Sequence, residues 1–135
     1  LVETMTSAEL FPGVLEFIDE LIAAGVKVGL GSSSRNAPLI LKLCGIADRF
    51  EVVVDGNSIT FSKPDPEVFL KGAQYFGLSP QDCVVFEDAV SGIQAALNGQ
   101  FRAVGVGHPQ TLSQAEFVIP GFDGFTLAQL KQHLS

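Results

Sequence analysis

Glu87 and Asp88 stand side by side directly after the apolar run Val84-Val85-Phe86. Burying two neighbouring carboxylates without a cation is costly, through like-charge repulsion and desolvation. A hard-oxygen pair of this kind suits Mg2+, which takes one or two protein carboxylates and completes its octahedron with water and phosphate. The competing reading makes Asp88 the N-cap of the helix that follows; the metal reading leads. A second cluster, Gly31-Ser32-Ser33-Ser34-Arg35-Asn36, follows an apolar strand and precedes a helix. Its small hydroxyl residues offer side-chain and backbone donors to a phosphate at the positive end of that helix, although a serine-rich turn with an N-cap has the same composition. A third cluster is Ser62-Lys63-Pro64-Asp65-Pro66-Glu67. A lysine ahead of a helix N-terminus sits at the unfavourable end of the macrodipole, so a nearby anion would account for Lys63; taken alone, the reading as a solvated surface lysine leads.

The elements that must position these clusters alternate between short β-rich runs and amphipathic stretches, the pattern of a parallel sheet with helices on both faces. Pro12 begins a helix with apolar residues at Val14, Leu15, Phe17, Ile18, Leu21 and Ile22, and Gly25 closes it. The spacing predicts strands over Val26–Leu30, Phe50–Val54, Asp82–Phe86, Phe101–Val106 and Phe117–Ile119. Helices are expected over Ala37–Cys44, from Asp65 as N-cap with Pro66 at the first helical position, over Ala89–Leu97 and over Thr126–His133. In open α/β sheets ligands bind outside the carboxyl ends of the strands. The three clusters should therefore converge at one edge, with Ser32, Lys63 and Asp88 close together.

The chain has 135 residues, 47% of them hydrophobic, and a formal net charge of −7. That length fits one domain with a substantial core. The acidic balance argues against nucleic acid or a membrane surface as partner, and a phosphate-binding protein of this charge must gather its few cations locally. Cys44 and Cys83 show no metal-ligand spacing and read as buried thiols of a cytoplasmic protein. No apolar run approaches the roughly 20 residues that span a bilayer.

The serine turn after a strand, the Ser62-Lys63-Pro64-Asp65-Pro66-Glu67-Val68-Phe69 segment and the Glu87-Asp88 to Gly92-Ile93 to Ala95-Ala96 segment occur in the order of the second, third and fourth motifs of haloacid dehalogenase phosphotransferases. Gly31 to Asn36, and Asp55-Gly56 ahead of Ser62-Lys63-Pro64, resemble the β-phosphoglucomutase-like subgroup. The resemblance implies a three-layer, Rossmann-like α/β core with a mainly parallel sheet, and Mg2+-dependent phosphoryl transfer on a small phosphorylated sugar or phosphate ester, as a mutase or a phosphatase. It implies that Ser32 hydrogen-bonds the transferring phosphoryl group, Ser33 contributes its backbone N–H, and Lys63 neutralises developing charge. Glu87 and Asp88 would hold Mg2+, directly or through water. Ser34, Arg35 and Asn36 match positions that hold the second phosphate in phosphoglucomutases.

The sequence departs from the family at the first motif. No Asp-x-Asp pair, the source of nucleophile and general acid/base, occurs anywhere in it, and the helical cap that follows that motif is absent. Asp65-Pro66-Glu67 reads as a helix start, and Asp55 and Asp123 sit in glycine turns. Residues 1–11 therefore read as a remnant of a cap or linker and residues 12–135 as an incomplete core. The expected product is a core section inactive by itself, a non-catalytic anion- or Mg2+-binding remnant, or a subunit completed by another chain. The resemblance implies that the missing strand lies between the strands ending at Ser32 and at Glu87, where an empty slot would strand unpaired backbone groups. Filling by the segment Leu1–Phe11 or by a strand from a second copy is expected over direct closure of the two neighbours.

Overall fold

The computed structural model describes residues 2–4, 13–31 and 50–134. Among these residues six strands form one sheet: β1 (Val2–Thr4), β2 (Val28–Gly31), β3 (Val52–Val54), β4 (Val84–Glu87), β5 (Arg102–Val106) and β6 (Phe117–Ile119). Their spatial order is β3-β2-β1-β4-β5-β6, and every pairing is parallel. Among the described residues four helices accompany them: α1 (Val14–Ala23), α2 (Glu67–Phe76), α3 (Val90–Asn98) and α4 (Leu127–Leu134).

A parallel sheet needs cover on both faces, and strand alternation supplies two cores here. Val84 and Phe86 point into one core with Phe17, Leu21 and Phe122; Cys83 and Val85 point into the other with Phe69 and Ile93. The first core carries an aromatic cluster, with Phe17 edge-on to Phe86 at 5.6 Å between ring centres and stacked on Phe122 at 5.5 Å. Under α3 the contacts are made by small residues, Gly92, Ala95 and Ala96, which let that helix approach the sheet closely. Cys83 is a buried thiol in no disulfide, as its apolar surroundings suggest, and Cys44 lies outside the described residues.

Helix α1 ends as the spacing implies. Gly25 has φ +81°, its N–H bonds to the Ile22 carbonyl, and the Val26 N–H reaches back to the Leu21 carbonyl at 2.9 Å. That is a left-handed C-terminal turn, in which glycine meets no steric penalty. Other boundaries shift. The expected first strand begins at Val28 instead of Val26 and β4 runs from Val84 to Glu87 instead of from Asp82, because residues 80–82 form a 3-10 turn. Asp65 is not the N-cap of α2; Pro66 occupies that position, and the helix begins at Glu67. The Asp65 carboxylate still accepts the Glu67 N–H at 3.0 Å, so it satisfies one helix-end donor from one residue further out. The helix expected over Ala37–Cys44 lies outside the described residues.

The central slot is filled from within the chain. Val2, Glu3 and Thr4 pair with Val28, Gly29 and Leu30 on one side and with Val84, Val85 and Phe86 on the other. Strands β2 and β4 thus meet through β1 and not directly, and the place a strand from a second copy would take is held by Val2–Thr4. Because Glu3 is flanked by two partners, Glu3→Pro removes a ladder donor where no edge can absorb it. We expect a stability loss of about 1–3 kcal/mol or more in urea unfolding, with faster amide exchange at Val28–Leu30 and Val84–Phe86. Unchanged exchange at both neighbours would contradict this pairing.

Candidate active site

The strand order reverses direction between β1 and β4, and ligand crevices of open α/β sheets lie at the carboxyl edge of such a switch point. β4 delivers Glu87 to that edge, where the chain turns into α3. The Glu87 side chain has no exposure to solvent, and its Oε2 accepts a hydrogen bond of 2.7 Å from the Lys63 ammonium, itself only 7% exposed. Oε1 accepts the Asp88 backbone N–H at 3.1 Å. Burial pushes the Glu87 carboxyl above the ordinary glutamate range; the Lys63 charge and hydrogen bond pull it part of the way back, and Asp88 adds to the rise. The cation thus offsets part of a desolvation cost that an unpaired buried carboxylate would bear in full. Lys63 Nζ also lies 5.0 Å from the centre of the Phe69 ring, a cation–π contact.

Gly92 makes this burial possible. A Cβ at that position would stand 2.0 Å from both Cγ and Cδ of Glu87 and 2.2 Å from Oε2. Any side chain there would drive Glu87 away from Lys63. Asp88 follows at the rim and is partly exposed. The N-cap position of α3 falls one residue later, on Ala89, with no side-chain cap bond, so the reading of Asp88 as N-cap does not hold. Among the described residues no group of three or more His, Cys, Asp and Glu gathers as a metal cluster. The side chains that could hold a divalent cation are Asp88 at the rim and Glu87 behind it, a hard-oxygen set within the one or two carboxylates that Mg2+ takes.

Lys63, Glu87 and Asp88, separate clusters in the sequence, are thus brought together, and Lys63 is not a solvated surface residue. Ser32, Ser33, Ser34, Arg35 and Asn36 lie outside the described residues. The described part of β2 ends at Gly31, and the register sets its level: Thr4 is paired with both Leu30 and Phe86, so Gly31 and Glu87 come next at the same height on either side of β1. Asp55 proves a turn residue, its Oδ1 accepting the Asn57 N–H at 2.8 Å.

Three contributors escaped sequence reasoning. Gly92 carried a signal, since a glycine in a first helical turn costs helix stability and calls for a packing reason. Glu67 carried a weaker one in its i,i+4 spacing from Lys71, and the two do pair at 3.4 Å. Asn98, whose Nδ2 donates to the Pro64 carbonyl at 3.0 Å across 34 residues, carried none.

The family model for haloacid dehalogenase-like hydrolases matches residues 1–99. The chain belongs to that family. It is 39% identical over 132 residues to the β-phosphoglucomutase of Bacillus subtilis (strain 168), covering 98% of this chain and 58% of that protein. It is 31% identical over 123 residues to hexitol phosphatase B of Escherichia coli (strain K12), covering 90% and 55%. The crystal structure of β-phosphoglucomutase from Clostridium difficile superposes with a TM-score of 0.87 at 31% identity, over 96% of this chain and 58% of that one. Within the haloacid dehalogenase superfamily the chain falls in the β-phosphoglucomutase-like subgroup, and it spans a little over half the length of these relatives. Among the described residues no helix is long and apolar enough to cross a membrane.

The Lys63–Glu87 pair of this haloacid dehalogenase-like chain has a pH signature. A carboxyl raised above its unfolded value contributes stability that is fully present below the unfolded value and is lost as pH rises through the folded one. Lys63→Met deletes the charge that lowers Glu87 in the fold, so the upper limit of the window moves to higher pH and the deficit at neutral pH deepens to about 3–5 kcal/mol. Urea unfolding from mildly acid to neutral pH should show a steeper decline for Lys63→Met than for the wild type, abolished by adding Glu87→Gln. Identical pH profiles for Lys63→Met and wild type would contradict the assignment.

Proposed function

We propose that this chain is the core section of a Mg2+-dependent phosphoryl-transfer enzyme acting on a small sugar phosphate, in the manner of a phosphoglucomutase, in the cytoplasm. The observation that carries this reading is the buried Lys63–Glu87 pair beside the partly exposed Asp88, at the carboxyl edge of the sheet's switch point. An ammonium has three donors, and Glu87 takes one of them at 2.7 Å. The others can serve phosphoryl oxygens, and Glu87 holds the donor group in place without filling its capacity.

In this reading Lys63 neutralises charge that develops on the phosphoryl oxygens, while the Ser32 hydroxyl and the Ser33 N–H bind the same group. Asp88 and Glu87 would hold Mg2+, whose chemistry is to stabilise negative charge on phosphoryl oxygens and to orient the transferring group. Ser34, Arg35 and Asn36 would receive a second, non-reacting phosphate, for which a guanidinium is suited by its bidentate donors. That second contact is what favours a mutase. The second reading, a phosphatase of small phosphate esters, is favoured by the 31% identity to hexitol phosphatase B.

Transfer requires an attacking oxygen, and the sequence contains no Asp-x-Asp pair to supply one. The chain alone should therefore turn over neither β-glucose 1-phosphate nor an aryl phosphate. Joining it to a preceding segment that carries Asp-x-Asp and a cap should produce Mg2+-dependent turnover, read by phosphate release and by glucose 6-phosphate formation. Mg2+-dependent turnover by the chain alone, abolished by Asp88→Ala, would overturn the account of the nucleophile. Phosphate binding without turnover in the extended protein would favour a non-catalytic remnant instead.

A further inference from the structure

We propose that Glu67 is a positioning residue for Lys63, its carboxylate closing the Lys63 loop onto the first turn of α2. The inference rests on the reading of Lys63 as the phosphate-facing cation. Glu67 Oε1 accepts the Thr60 N–H at 2.9 Å and the Phe61 N–H at 2.8 Å, and Oε2 lies 3.0 Å from the Thr60 nitrogen. Its own N–H is fixed by the Asp65 carboxylate at 3.0 Å. A ring of chain and hydrogen bonds thus runs from Phe61 through Lys63 to Glu67 and back.

Before Thr60 the loop is also held by Ile59, packed against the core, and by the Lys71 ammonium, which donates to the Ser58 carbonyl. Thr60, Phe61 and Ser62 are all exposed, Phe61 to 63% of its surface, so apolar burial does not anchor them. Lys63 must nevertheless leave this exposed stretch and reach inward to a carboxylate with no solvent exposure. Charge-assisted bonds from a carboxylate to backbone N–H groups are among the stronger hydrogen bonds. The backbone N–H groups of Phe61 and Thr60 correspondingly hold the Glu67 carboxyl below the ordinary glutamate range. On the far side of Lys63, Asn98 Nδ2 donates to the Pro64 carbonyl, so the lysine is held between two fixed points on two helices. The bland alternative is that Glu67 serves only its helix, through the i,i+4 pair with Lys71.

Trace acetylation of the 135-residue chain with acetic anhydride at one fixed pH, read by peptide mass spectrometry, separates these. Lys27 and Lys131, both exposed, serve as internal references. In Glu67→Ala the labelling of Lys63 relative to the references should rise roughly five- to tenfold, the factor equivalent to one typical net hydrogen bond. Glu67→Gln keeps one carbonyl oxygen for both N–H groups but loses the charge, so the labelling of Lys63 should rise less than in Glu67→Ala. Lys63 remaining protected in Glu67→Ala, or rising only in step with Lys27 and Lys131, would overturn the proposal. Glu67→Gln exposing Lys63 as fully as Glu67→Ala would overturn it too, in favour of the Lys71 pair. Inorganic phosphate provides the separate check on the underlying reading. If it gives Lys63 of the wild type no further protection while the Glu67 pattern holds, the phosphate reading fails and the positioning role stands.

Discussion

A glutamate carboxylate with no access to water has to be met by a cation or take up a proton, and Lys63 meets Glu87 at 2.7 Å. Much of the local architecture follows from that contact. Gly92 has no side chain because the glutamate occupies the space where one would be. The Phe69 ring beneath the ammonium comes from the first turn of α2, so the helix that starts after Lys63 also lines its path. The loop before that helix is tied back by Glu67 and, from α3, by Asn98. The pair links loop, strand and two helices at the carboxyl edge of the sheet.

The sheet supplies the rigidity that such a pair needs. Its centre is the β2-β1-β4 trio, in which Thr4 sets the level of both Gly31 and Glu87. The residues that close the strands on either side of β1 are therefore matched in height by backbone pairing, independently of side-chain packing. The two cores cover the sheet from both faces, one around the Phe17–Phe86–Phe122 cluster and the other around Phe69, Val85 and Ile93 with the small residues of α3. A site made of strand ends and helix starts inherits that precision.

The legible parts were those with strong local signals. Val14, Phe17, Ile18 and Leu21 mark α1 by spacing, and all four are buried. The apolar run into Glu87-Asp88 marks β4 and the rim carboxylates, and the lysine ahead of α2 stands out against the helix dipole. What could not be read is pairing at long range. Lys63 suggested an anion but did not reveal that its nearest one is Glu87, 24 residues away, because burial and not sequence spacing creates that contact. β1 is only three residues with a Glu at its centre, too short for periodicity; only the cost of an unpaired central slot pointed to it. The shift from Asp65 to Pro66 at the start of α2 reflects a boundary effect of one residue, which composition does not resolve.

The central claim is that Lys63 and the Glu87-Asp88 pair form one phosphate- and Mg2+-binding site. Calorimetric titration of inorganic phosphate into the chain, with and without Mg2+, tests it most directly when wild type, Lys63→Met and Asp88→Asn are compared. The account predicts that Mg2+ tightens phosphate binding, that Asp88→Asn removes this dependence, and that Lys63→Met weakens binding by about tenfold or more, as expected for loss of a charge-assisted hydrogen bond. Phosphate affinity left unchanged by both substitutions would contradict it.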